Sequence, residues 1–279
     1  MQVDSVFLDL AVSAIFNIGL QLKWPEFPAL MSLAVLRFYA ELNDFLPSER
    51  KQVAFVHEFS IRSSVKDIIE SLGVPHTEVD LILANGESVN FSYHVENGDR
   101  ISVYPVFESI DIGPVLRVRP DPLRTTKFVV DIHLGRLAAY LRMAGFDTLY
   151  EREATDETLA HLSSRENRIL LTRDRGLLKR SLVTHGYCVR ENFPRQQLAE
   201  VIRRFDLQSS AQPFCRCMRC NGLLELVSKE SILEHLPFSI RQSHDEFRWC
   251  MTCGRVYWPG SHYQRMKTLY ESLLNIAGR

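Results

Sequence analysis

The chain has 279 residues, of which 46% are apolar and 24% charged, so it can bury two or three separate cores and is neither disordered nor fibrous in composition. A net charge of −1 conceals a split: residues 1–120 carry 9 Lys/Arg against 16 Asp/Glu, and residues 121–279 carry 24 against 18. The C-terminal part therefore suits an anionic partner.

The run "LAVSAIFNIGLQL" near the N-terminus is 13 residues long, too short to cross a bilayer as a helix. Asp4 and Asp9 precede it where a signal peptide would carry Lys or Arg. Residues 1–31 thus read as an extension, and the chain is expected to be cytoplasmic with no membrane partner. From Ser32 the pattern becomes regular. "LAVLRFYAEL" and "QVAFVHEFS" alternate as strands, and "SSVKDIIESLGV" places Val65, Ile68, Ile69 and Leu72 on one helical face. "EVDLILANGESV" runs into an Asn-Gly hairpin turn, and "HVENGDRISVYPVF" supplies a last strand. Strand, strand, helix, strand, strand is the order of a small α+β β-grasp domain, expected over residues 32–110.

"NGESV" and "ENGDRISVYPVF" resemble the ubiquitin-like sulfur carriers. Those carriers end in a free Gly-Gly, whereas this strand continues into "ESIDIGPVLRVRPDPLRTTK". The domain is therefore expected to be a fused recognition or scaffolding module with a protein partner of its own. The proline- and arginine-containing stretch 111–126 reads as a linker.

Beyond the linker, strands alternate with helices. "KFVVD", "FDTLYE", "RILLT" and "GYCVRE" read as strands. "LGRLAAYLRMAG", "TDETLAHLSSREN" (opened by Thr155 or Asp156), "DRGLLKRSL" and "PRQQLAEVIRRFDL" read as helices. This alternation implies an α/β domain over residues 127–210, a parallel sheet between two helical layers. In such sheets ligands bind beyond the carboxyl ends of the strands. Asp131 ends the first strand, Asp156 opens the helix after the second, and Asp174 follows the third. Gathered at one edge, three carboxylates call for a hard cation such as Mg²⁺ or Mn²⁺ between them. Asp156 and Asp174 each also have an ordinary use as a helix cap, whereas Asp131 has none. Arg136, Arg142, Arg173, Arg175 and Arg180 surround the same edge, either as a solvated face or as phosphate contacts beside a metal.

"DIHLGRLAAYLRMAGFDT", "TDETL" and "ILLTRDRGLL" resemble the Mut-seven C-terminal RNase family, a PIN-like nuclease fold. The resemblance implies a metal-dependent ribonuclease with RNA as partner and Asp131, Asp156 and Asp174 as metal-binding, catalytic acids. It further implies that Thr172 orients Asp174 or a water and that Arg136 sits near the phosphate; Arg173 and Arg175, flanking Asp174, are expected to bind substrate beside them. Asp147 precedes its strand and is set aside.

Cys217-x-x-Cys220 and Cys250-x-x-Cys253, 29 residues apart, form a zinc-ribbon signature expected within residues 211–279. Four thiolates imply a closed, structural Zn site, with Cys215 spare and Cys188 a buried apolar residue. Arg216, Arg219, Arg248 and Arg255 interleave with Trp249, Tyr257 and Trp258, which suits a nucleic-acid clamp as well as a scaffold. The family carries the same ribbon. The rival function is an RNA-binding adaptor that cuts nothing.

Overall fold

The computed structural model describes residues 31–60, 63–105, 118 and 126–277, so the expectations for residues 1–30 and for most of the linker lie outside it. Among the described residues, no helix is long and apolar enough to cross a membrane.

The first sheet contains β1 (Met31–Phe38), β2 (Phe55–Ser60), β3 (Val79–Ala84), β4 (Glu87–Val89) and β5 (Arg100–Pro105) in the order β2-β1-β5-β3-β4. Only the β1–β5 pair is parallel, and α1 (Val65–Ser71) packs on the sheet, which is the β-grasp arrangement. Ser64 and Asp67 close a capping box at the start of α1. Asn85 and Gly86, both at positive φ (54° and 92°), make the expected hairpin turn. The first strand ends sooner than its alternation suggests, because Ala40–Phe45 winds into a 3-10 helix. Asn43 holds that helix by donating to Phe38 O and Ala40 O.

The second sheet is wholly parallel, in the order β7-β6-β8-β9: β6 (Lys127–Val130), β7 (Asp147–Tyr150), β8 (Ile169–Thr172) and β9 (Gly186–Cys188). Its side chains alternate between two cores. Phe128, Val130, Ile169 and Leu171 face α2 (Gly135–Met143) and α5 (Pro194–Arg204). Val129 and Leu170 face α3 (Asp156–Arg165) and α4 (Arg175–Leu178), so the sheet is covered on both sides as expected.

The α3/α4 face shares one continuous core with the β-grasp domain. Across that junction Glu78, 1% exposed, accepts Cys188 N–H at 2.6 Å and an Arg190 N–H at 3.2 Å. His76 Nε2 donates to Val183 O at 2.8 Å, and Lys179 Nζ donates to Glu70 O at 2.6 Å. These contacts explain why α4 is a single turn instead of the longer helix expected over "DRGLLKRSL". Beyond Leu178 the chain turns so that Lys179 meets α1 and Val183 is fully buried.

A third, antiparallel sheet joins β10 (Leu224–Val227), β11 (Phe247–Cys250) and β12 (Val256–Tyr257). A short helix, α6 (Phe238–Ser243), precedes β11, and α7 (Ser261–Ala277) packs back on α5 with Tyr270 in the core on the α2/α5 side of the sheet.

Candidate active site and metal centre

Strand order reverses between β6 and β8, and the carboxyl ends of these two strands carry Asp131 and Asp174. Asp131 extends the parallel ladder by donating its N–H to Leu171 O at 3.0 Å, and its side chain is buried. Asp131 Oδ2 accepts the Thr172 hydroxyl at 2.6 Å. The same Thr172 Oγ1, fully buried, accepts the Asp174 N–H at 2.9 Å. One hydroxyl thus fixes the first carboxylate and the turn that presents the second.

The three acids differ in what else they do. Asp174 caps α4, with Oδ1 accepting from Gly176 N at 2.7 Å and Leu177 N at 3.4 Å. Asp156 caps nothing. Thr155 is the N-cap of α3, its Oγ1 accepting Thr158 N–H at 3.2 Å, and Asp156 stands exposed at the first helical position. Asp131 precedes a 3-10 turn (Ile132–Leu134) without a side-chain cap. Asp131 Oδ1 and Asp174 Oδ2 take no hydrogen bond among the described residues, which leaves one oxygen of each carboxylate uncommitted. The full triad does not close around one point. Among the described residues, the single group of three or more acids, histidines or cysteines with ligand atoms within 4.8 Å of one another is a cysteine cluster.

The arginines also separate. Arg136 is exposed on the first turn of α2, five residues along the chain from Asp131. Arg173 is exposed and donates to Glu191 O at 3.0 Å. Arg175 is held by the β-grasp domain: its guanidinium lies 4.8 Å from the Phe45 ring centroid and donates to Phe45 O at 3.3 Å. Arg142 does not belong to this edge. Six residues along α2 from Arg136, it reaches the opposite end and donates to Thr148 O, Met218 O and Arg219 O. Asp147, also at that far end, receives Arg168 at 2.7 Å and Asn221 Nδ2 at 2.8 Å. Neither Phe45 nor Asn221 carried a sequence signal for its role, since each acts on residues more than 70 positions away.

Those last contacts dock the cysteine knuckle on the α/β domain. Cys217, Cys220, Cys250 and Cys253 have their sulfur atoms within 4.8 Å of one another, with Cys217–Cys253 at 3.6 Å and Cys220–Cys250 at 3.4 Å. A tetrahedral Zn²⁺ with bonds of about 2.3 Å sets sulfur–sulfur edges of about 3.8 Å, so the four residues fit a closed zinc site. Burial opposes ionisation of Cys217. The Tyr257 hydroxyl, donating at 3.1 Å, and the N–H groups of Cys220 and Arg219 outweigh it and bring the thiol down to about 6. Burial, followed by the neighbouring thiols of Cys250, Cys253 and Cys217, instead pushes Cys220 up to about 12. Cys215 remains outside the cluster, with Sγ near Gly145 O. Cys188 is buried, and burial followed by the nearby Glu78 charge raises it to about 11, which suits an inert packing residue.

The family profile described as the Mut7-C RNAse domain matches residues 126–270, and that described as Mut7-C ubiquitin matches residues 31–111. The chain belongs to the Mut7-C RNase domain family. Family membership accounts for the fused ubiquitin-like domain and supports an RNA-directed, nuclease-type function. No curated protein matches the chain. Among solved structures it is similar to the Haloferax volcanii HVO 2177 protein, at 20% identity over 31% of this chain and 94% of that one, with a TM-score of 0.24.

Proposed function

We propose that the chain hydrolyses RNA phosphodiester bonds with Mg²⁺ or Mn²⁺ at the carboxyl edge of the parallel sheet. The observation that carries this reading is the Thr172 hydroxyl joined to both Asp131 Oδ2 and the Asp174 N–H at the strand-order reversal. Asp131 and Asp174 would hold the cation, and Asp156, uncommitted to capping, is the third acid over the same edge. A divalent cation there supplies Lewis-acid polarisation of the phosphate and lowers the pKa of an attacking water. Thr172 orients Asp131, and the Asp174 cap keeps its second oxygen turned to the site. Arg136 and Arg173 are the phosphate contacts, and Arg175 serves as a tether to Phe45 in place of the substrate role first assigned to it. Structural zinc on the four cysteines stiffens the ribbon and takes no part in the chemistry.

A second reading, an RNA-binding protein that cuts nothing, is favoured by one observation: the three carboxylates share no common ligand position. The two readings separate in one assay. Asp131→Asn and Asp174→Asn, each in zinc-loaded protein, are compared with the parent chain for cleavage of single-stranded RNA with Mg²⁺ or Mn²⁺. Metal-dependent cleavage lost in both variants supports hydrolysis. Binding without cleavage by the parent chain supports the adaptor.

A further inference from the structure

At the far end of α2 from Asp131, a groove of about 950 Å³ opens between the ribbon and the start of α7. It is placed by hydrogen bonds to backbone carbonyls at that end of the helix, Phe214 N–H to Met143 O and the Arg216 side-chain Nε–H to Gly145 O. The nine residues of α2 span about 13 Å, so the groove is well separated from the acids. Its charge is one-sided. Arg216, Arg219, Arg248 and Arg255 line it against one carboxylate, Glu246. Arg216 is spent on structure, donating also to Asn221 O at 3.0 Å. Arg219, Arg248 and Arg255 have no carboxylate partner among the described residues, and Arg219 and Arg255 are exposed.

The aromatic lining is equally selective. Trp249 is outside the groove, packed edge-on against His235 at 4.7 Å. The Tyr257 hydroxyl is engaged by Cys217. Trp258 is half-buried in the wall and lies against Gly260, where a Cβ would come within 3.0 Å of its indole nitrogen. Three unpaired guanidinium groups around an aromatic wall match a chain of phosphates bearing unstacked bases.

We infer that this groove is a second RNA site, which grips an unpaired stretch of the substrate through Arg219, Arg248, Arg255 and Trp258 while another part of the same strand lies over Asp131 and Asp174. The inference rests on the RNA-directed reading above but is independent of cleavage. The bases stack where the phosphates are neutralised, so single strands are selected over duplexes. The acid edge then acts on RNA anchored about one helix length away.

The test measures binding of a fluorescently labelled single-stranded RNA to the zinc-loaded full chain carrying Asp174→Asn, so that no RNA is cut. Adding Trp258→Ala is expected to weaken binding at least about five-fold, the usual loss for one stacked base. Adding Arg248→Ala with Arg255→Ala should make the log–log salt dependence shallower by about 1.4, the value for two lost phosphate contacts on a single strand. Zinc stoichiometry is measured alongside. If Trp258→Ala fails to hold zinc, Arg255→Ala alone decides, because it changes only an exposed side chain just before β12. Unchanged affinity and salt slope with zinc retained, or equal affinity for duplex RNA, overturns the groove. Loss of cleavage in Asp131→Asn with RNA binding intact leaves the groove standing, so the two proposals fail separately.

Discussion

The Thr172 hydroxyl donates to Asp131 Oδ2 at 2.6 Å, across 41 residues of sequence and between two neighbouring parallel strands. Both groups are buried, so the bond sets the carboxylate's direction with little competition from water. Thr172→Val keeps shape and removes the donor. It should lower metal-dependent RNA cleavage about 10- to 100-fold, as loss of an orienting partner does at metal sites. A buried carboxylate deprived of its partner costs about 1–3 kcal/mol, read from denaturant unfolding. Thr172→Ser should restore most of both, and a Val variant with full activity would remove Thr172 from the site.

Asp174 has two separable duties. Asn is as good an N-cap as Asp, so Asp174→Asn should leave stability within about 0.5 kcal/mol while abolishing metal-stimulated cleavage. Asp174→Ala should lose the same activity and a further ~1 kcal/mol with the cap. Equal stability of the Asn and Ala variants would mean that the cap contributes nothing.

Phe45 belongs to the core shared by the β-grasp and α/β domains, with the Arg175 and Arg190 guanidinium groups 4.8 Å and 5.2 Å from its ring centroid. Phe45→Ala removes a buried ring and the surface both arginines rest on. A loss of about 3–5 kcal/mol in unfolding free energy is expected. An unchanged melting temperature would contradict a firm junction between the two domains.

Asp147 provides a pH signature. Burial opposes its charge, but hydrogen bonds from Arg168 and Asn221 outweigh burial and hold its pKa below the ordinary 3.8. The stabilisation is fully present above 3.8 and is lost as pH falls through the lower folded value. Stability measured from pH 6 downward should therefore drop in that acid range, and Asp147→Asn should flatten that drop. A variant with an unchanged acid limb would show that Asp147 does not couple the ribbon to the sheet.

Removing zinc with a chelator should loosen the ribbon, because four crowded thiols without a cation do not hold a fold. Cys253→Ser should abolish zinc binding at the ribbon, whereas Cys215→Ser and Cys188→Ala should keep it. Metal analysis of the purified variants decides each case. Zinc lost from Cys215→Ser would place Cys215 in the ligand set.

Elements governed by neighbouring residues were legible in the sequence. The parallel strands announce themselves as short apolar runs, the Asn85-Gly86 turn by its positive-φ residues, and the knuckles by paired Cys-x-x-Cys spacing. Asp131, Asp156 and Asp174 could also be placed near the carboxyl edge, because parallel topology alone puts strand ends there. None of these inferences needs a long-range contact.

Everything that distinguishes one polar residue from its neighbour required tertiary structure. Arg136 and Arg142 look alike along the chain, yet one helix carries them to opposite ends, and Arg142 serves the cysteine knuckle. Arg173 and Arg175 flank the same aspartate, but a phenylalanine 130 residues away claims only the second. The sequence determined the elements and the paired cysteine knuckles because period, turn type and ligand spacing act over a few residues. The allocation of side chains to cap, tether, core or surface was decided by folding, since burial and hydrogen bonding depend on partners that only the packed chain brings within reach.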